Sequence, residues 1–284
     1  MNPREKVTEA LKQIDEAIEN ISTNEEWLKF LSFQTKFYRY SYGNTLLIYL
    51  QNQEATYVRG FKAWNELGRF VKKGEKGIKI LAPCIKKVVE EDAEDETDAK
   101  KKLVGFRVAY VYDILSTDGS DEFIPTLVGG LKGNSEDETK AYEQMKTYIG
   151  TKHHIEEVVG TASKGSFNLV SGDICIRKDL DALQKIKTLI HEYAHSIDHE
   201  INPSKDIPIS HRELVAESTA FVVSSALGYD TSDYSFGYLN SWSHENKDNM
   251  KKVADTIQKV ACKIIEEFLN NGICAERLKC HLAQ

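Results

Sequence analysis

Long apolar runs are missing from this sequence: no window approaches the ~18 uninterrupted apolar residues of a membrane span. Met1 to Ile21 carries charges throughout and has no continuous apolar core, so it is not expected to act as a secretory signal. Cysteine is sparse and unpatterned. Cys84, Cys175, Cys262, Cys274 and Cys280 are odd in number and include no C-x-x-C pair. This argues against a disulfide frame or a thiolate zinc site and for reduced thiols in a cytoplasmic protein with no membrane contact. Internal repeats and low-complexity tracts are also lacking.

What is present fits two α+β domains. The 284 residues, 41% hydrophobic and 29% charged, suffice for two cores of ordinary size. The net charge of −7 argues against bulk nucleic-acid binding, but the charge is unevenly spread. Glu90 to Asp98 form an acidic block that cannot bury apolar surface and reads as a hairpin tip.

The stretch with most chemistry is His191-Glu192-Tyr193-Ala194-His195, an H-E-x-x-H inside a helical run from Leu183 to Ile197. At 3.6 residues per turn, positions i and i+4 share a face, so His191 and His195 can offer two imidazole nitrogens to one tetrahedral Zn²⁺. Glu192 then stands where a general base for a metal-activated water belongs. Leu183, Ile186, Leu189, Ile190, Tyr193, Ala194 and Ile197 give this helix a broad apolar face, which assigns it to a core.

A third ligand is available in the next helical run, Arg212 to Phe221, which ends near Gly228. Glu213 and Glu217 lie four apart on one face, where like charges repel unless a cation sits between them and the first helix. Spacing leaves either acid eligible. His199 and His211 flank the site without a spacing that assigns them to it, and His153 and His154 lie far off in sequence.

The amino-terminal part has a different character. Val7, Leu11, Ile14, Ile18 and Ile21 predict an amphipathic helix, and Ser22 to Glu26 supply capping-box signals for a second helix carrying Trp27, Leu28, Phe30, Leu31 and Phe33. Arg59, Lys62, Arg69, Lys72, Lys73, Lys76, Lys79, Lys86 and Lys87 then stand among only Glu66 and Glu75, with Tyr57, Phe61, Trp64 and Phe70 interleaved. Cations attract phosphates and aromatic faces stack on unpaired bases, the chemistry of a single-strand binder. Beyond them, Ile78 to Val89 and Leu103 to Ile114 read as a strand and its return. Leu127 to Ser135 read as a linker, Asp137 to Ile149 as a helix, and Ser166 to Arg177 as a hairpin turning at Ser171-Gly172. Met250 to Phe268 read as a final helix stopped by Gly272.

Two resemblances sharpen these expectations. H-E-x-x-H followed by Glu213-Leu-Val-Ala-Glu217-Ser-Thr-Ala resembles the glutamate zincins, in particular ImmA/IrrE-type metallopeptidases. That likeness implies Glu213 as third ligand and Glu217 as the acid orienting a histidine. Tyr42-Gly-Asn-Thr-Leu-Leu47, Gly60-Phe-Lys-Ala-Trp-Asn-Glu-Leu-Gly68 and Val71-Lys-Lys-Gly-Glu-Lys-Gly77 resemble the amino-terminal domain of ArdC-type antirestriction proteins, a single-stranded-DNA-binding module joined to a zincin. The expected layout is therefore a basic α+β module over residues 1–130, then a mostly helical zincin-like domain over residues 131–284 with a short edge hairpin.

From motif and basic run together, Tyr42, Asn44, Lys62, Trp64, Arg69, Lys72, Lys73 and Lys76 are expected to meet DNA. Gly74 and Gly77 should permit the turn that projects the lysines. The implied function is antirestriction by a protein that binds single-stranded DNA and carries a zinc peptidase site for an unidentified peptide substrate. The alternative is a metalloprotease that cleaves a transcriptional repressor, with DNA binding secondary.

Overall fold

A computed structural model describes residues 2–21, 23–88, 100–119, 135–204, 206–231 and 247–281. The acidic block Glu90–Asp98 and nearly all of the expected linker before Ser135 lie outside the described residues. In chain order the helices are α1 (Pro3–Asn20), α2 (Asn24–Lys36), α3 (Tyr42–Gln51), α4 (Phe61–Glu66), α5 (Ser135–Ile149), α6 (Ala182–Ile201), α7 (Ile209–Ala226), α8 (Lys247–Asn270) and α9 (Ala275–His281). The strands are β1 (Val58–Gly60), β2 (Arg69–Val71), β3 (Ile78–Val88), β4 (Lys100–Asp113), β5 (Thr117–Gly119), β6 (Ile155–Val158), β7 (Gly165–Phe167) and β8 (Ile174–Arg177). These elements gather into two units, Met1–Ala17 with Gly43–Phe123, and Ile18–Tyr42 with Ile124–Gln284. Among the described residues no helix is long and apolar enough to cross a membrane, and Cys84, Cys175, Cys262 and Cys274 are free thiols.

In the first unit β4 lies between β1 and β3, antiparallel to both, and the long β3–β4 pairing carries a register shift between Cys84 and Ile85. β3 is an edge strand, and α3 covers it with side chains in place of another strand. The Asn44 amide donates to the Leu81 carbonyl (2.9 Å) and accepts from the Leu81 N–H (2.8 Å). Gln51 repeats the pattern two residues along, donating to the Lys79 carbonyl and accepting from its N–H, both at 2.9 Å. An edge left open would invite pairing with another chain. Apolar residues of α3 (Leu46, Leu47, Ile48) are buried with Trp64, Val58, Ile78 and Val111 to make the core.

The second unit is built on helices. The expected capping box is present at α2: the Thr23 hydroxyl accepts from the Glu26 N–H and the Glu26 carboxylate accepts from the Thr23 N–H. Trp27 of α2 is buried and donates to the Ser218 hydroxyl of α7 at 3.1 Å. α7 is the central helix: Leu214, Val215, Ala216, Ala220, Phe221, Val222 and Val223 are buried around its circumference, so it packs against α2, α6 and α8 at once. It ends as its glycine predicts. Gly228, at φ +74°, lets the Tyr229 N–H reach the Ser224 carbonyl (3.0 Å) and the Gly228 N–H the Ser225 carbonyl (3.0 Å), a Schellman stop.

β8 lies between β6, to which it is parallel, and β7, to which it is antiparallel. The expected hairpin is thus present as β7–β8, with residues 168–173 as its loop and β7 at the edge of the sheet. α6 packs on this sheet, with Ile186, Leu189, Ile190, Tyr193, Ala194 and Ile197 all buried.

Candidate functional site

α6 begins at Asp181, whose carboxylate accepts from the Gln184 N–H (2.8 Å), and runs without a break through the H-E-x-x-H. Where it ends, a buried ion pair fixes α7 beside it. Arg212 donates to the Asp198 carboxylate at 2.7 Å and to the Asn202 and Ser204 carbonyls at 3.1 and 2.7 Å. Since Arg212 is the neighbour of Glu213, this clamp sets where the Glu213 carboxylate arrives.

It arrives opposite both histidines. His191 Nε2 and His195 Nε2 are 3.1 Å apart, and the Glu213 carboxylate oxygens lie 3.5 Å from the first and 3.4 Å from the second. Ligands about 2.0–2.1 Å from a tetrahedral ion are about 3.3 Å apart. The His191–His195 separation and the approach of each histidine to its nearer carboxylate oxygen, Oε2 for His191 and Oε1 for His195, are close to that figure. His191, His195 and Glu213 are also the one group among the described residues that offers three ligand atoms within 4.8 Å of one another; Glu217 is not in it.

The electrostatics are those of a place for positive charge. Burial pulls the His191 pKa down, but hydrogen bonding to Glu213 and the charges of Glu192 and Glu217 outweigh it, so the net shift is upward. Burial and the His191 charge push His195 down to about 4. Burial above all raises the neighbouring acids, Glu192 to about 7 and Glu217 in the same direction. Glu217 acts on His191 through its charge.

Glu192 is itself buried, and β7 comes right against it. A side chain at Gly165 would place its Cβ 2.9 Å from Glu192 Oε1, 2.5 Å from Thr188 Cγ2 and 3.0 Å from the Cys175 carbonyl. The edge of the sheet and the acid between the histidines thus share one wall of the site. His153, which nothing in the sequence recommended, props this wall: one ring nitrogen meets the Gly172 carbonyl (2.9 Å) and the other the Ser196 hydroxyl of α6 (2.8 Å). His199 packs near the Phe167 ring at 6.4 Å and His211 is buried; neither belongs to the ligand group.

The residues expected to meet DNA divide. Tyr42 is buried with its ring edge-on to Phe30 at 5.5 Å. Trp64 is wholly buried and donates to the Tyr112 carbonyl at 2.9 Å. Arg69, also buried, donates to the Thr117 hydroxyl (2.8 Å) and carbonyl (3.1 Å) and to the Gly119 carbonyl (3.2 Å), which pins β5 to β2. With half-buried Asn44 engaged on β3, all four side chains are taken up by contacts within the fold. Aromatic and polar character alone does not separate a core ring from a stacking ring, and this explains the four placements.

Lys62, Lys72, Lys73 and Lys76 are exposed. Lys72 is partly engaged, donating to the Leu115 carbonyl (3.0 Å) and facing Asp118 at 3.6 Å. Gly74 has the positive φ (+93°) its turn requires. Gly77 serves a different purpose: a Cβ there would come within 3.0–3.2 Å of Tyr110 and Tyr112, so its bare backbone makes room for two rings.

Residues 3–112 match the family described as the N-terminal domain of anti-restriction factor ArdC. An uncharacterised protein of Bacillus anthracis is 24% identical over 88% of this chain and 49% of its own length, so the chain spans about half of that curated relative. Among solved structures, the metal-free form of antirestriction protein ArdC from the R388 plasmid aligns with a TM-score of 0.51 and 22% identity over 84% of this chain and 85% of that one. The Mn(II)-bound form aligns at 0.47 and 20%, over 84% and 89%. Residues 3–112 thus carry an N-terminal domain of the ArdC family, and the chain shares the ArdC fold over most of its length.

Proposed function

We propose that this protein joins a single-stranded-DNA-binding module to a zinc-dependent peptidase site and works in antirestriction. The observation that carries the peptidase half is the convergence of His191, His195 and Glu213, each with a ligand atom within 4.8 Å of the others, close enough to share one ion. His191, His195 and Glu213 hold the ion in this reading, and the imidazole–carboxylate donor set suits zinc. Zn²⁺ in such a site supplies Lewis acidity toward water and a peptide carbonyl.

The remaining work falls to the protein's own groups. Glu192, held by burial between the two histidines in sequence, takes the proton of the attacking water and returns it to the leaving amine. β7, at the edge of its sheet among the described residues, offers that edge to an extended peptide, which main-chain hydrogen bonds align beside Glu192. Glu217 biases His191 from behind through its charge.

The DNA half rests on the ArdC N-terminal match and on the exposed Lys62, Lys73 and Lys76. Purified protein with added zinc, assayed on fluorescein-labelled casein, tests the enzymatic half. Glu192→Gln is expected to retain bound zinc and lose cleavage; equal cleavage by variant and wild type would remove Glu192 from the mechanism. An antirestriction assay of Glu192→Gln then separates the two halves, because coating DNA needs no general base.

A further inference from the structure

Tyr42 and Trp64 are buried, but other rings, in the first unit, do face solvent. Phe106, Val108, Tyr110 and Tyr112 alternate along β4 and so line one face of the sheet. Phe106 is 47% exposed and Tyr110 45%, and Phe61, at 52%, stands 6.3 Å from the Tyr112 ring at the end of the row. Tyr110 and Tyr112 sit side by side over Gly77, whose missing side chain leaves their space clear. Three large rings half open to water, two on the sheet and Phe61 on α4 beside it, form a patch of the kind that marks a binding surface.

The charge around the row indicates the occupant. β3 and β4 carry seven basic residues and one acid. That acid, Asp113, is buried and accepts the N–H groups of Thr56, Tyr57 and Leu115, so it does not oppose an anion. Lys79 is paired directly across from Tyr110 and Arg59 from Tyr112, which places a cation beside each ring. An apolar protein partner would want the rings without this excess of cations. A duplex would meet the cations but hide its base faces. Unpaired bases on a phosphate backbone use both.

We infer that Phe61, Phe106, Tyr110 and Tyr112 form a platform on which the bases of a single strand stack, with Arg59 and Lys79 on its phosphates. The inference deepens the proposed DNA-binding reading and rests on it.

Fluorescence anisotropy of the full chain with a mixed-sequence 20-mer single strand, an abasic strand of equal length and the matching duplex tests it. Phe106→Ala with Tyr110→Ala removes two exposed rings, so the fold should survive and a thermal melt will show it. On the order of tenfold loss per ring is expected on the base-containing strand and almost none on the abasic one. Phe106→Trp with Tyr110→Trp should keep binding. Wild-type affinity in the alanine variant would overturn the platform while leaving the DNA reading intact. Equal losses on base-containing and abasic strands would overturn it as well. A wild-type chain that binds no single strand removes both. If sedimentation shows that the alanine changes abolish a dimer and leave DNA binding alone, the face joins two copies of the chain and the inference fails.

Discussion

Asn44 separates two accounts of the basic module. Its amide satisfies both main-chain groups of Leu81 on an edge strand, so Asn44→Leu should destabilise the chain by about 1–3 kcal/mol, read from the urea midpoint. If Asn44 were a DNA contact instead, the same change would weaken DNA binding at unchanged stability. Gly165 makes a comparable test at the other site. Any side chain there meets Thr188, Glu192 and the Cys175 carbonyl, so Gly165→Ala should cost roughly 1–3 kcal/mol in stability and displace the Glu192 carboxylate, while zinc affinity holds. Unchanged stability and unchanged casein cleavage would show that β7 is not tight against the acid. At this scale H-E-x-x-H was legible because a helix forces i and i+4 together whatever surrounds it. Tyr42 and Trp64 were not, because whether a ring is core or platform depends on residues far away in sequence.

Among the elements, α7 and β6 hold the second unit together. Trp27 of α2 fills a buried place on α7, and Trp27→Ala should cost about 3–5 kcal/mol, measured by chemical denaturation. A cost below about 1 kcal/mol would mean that α2 does not belong to this core. Glu157 of β6 accepts from Lys146 of α5 (2.6 Å), Lys185 of α6 (3.1 Å) and Tyr142 (3.0 Å). Burial raises its pKa, but these three bonds outweigh that and hold it at about 2, against an ordinary value near 4.5. A depressed carboxylate stabilises the fold above its unfolded pKa, and that stability is lost as pH falls from about 4.5 toward 2. Glu157→Gln should therefore be less stable at pH 7 and show a shallower acid limb in the pH-dependence of its melting temperature. Helices with local signals, such as α2 with its capping box and α8 with its glycine stop, could be read directly. β6 could not, since its parallel partner β8 lies beyond β7 and no local pattern announces it.

For the whole chain, sequence order and spatial grouping differ in a way local reading does not reveal. Residues 18–42 group with the unit that holds the histidines, although they fall inside the stretch matching the ArdC N-terminal domain. The lesson is physical: a buried Trp27 and its partner Ser218, 191 positions away, carry no signal in either segment alone. A metal held across α6 and α7 should also be felt by the whole unit, since a ligand that binds only the folded state adds about 2.7 kcal/mol at a hundredfold excess over its Kd. Zinc should raise the melting temperature of wild type and not of His191→Ala.

The central claim is most directly tested by metal analysis of dialysed protein after loading with Zn²⁺. One zinc per chain is predicted for wild type and for Glu192→Gln, with near-complete loss in His191→Ala with His195→Ala and a strong loss in Glu213→Ala. Stoichiometric zinc surviving the double histidine change would show that the ion, if the protein holds one, sits elsewhere.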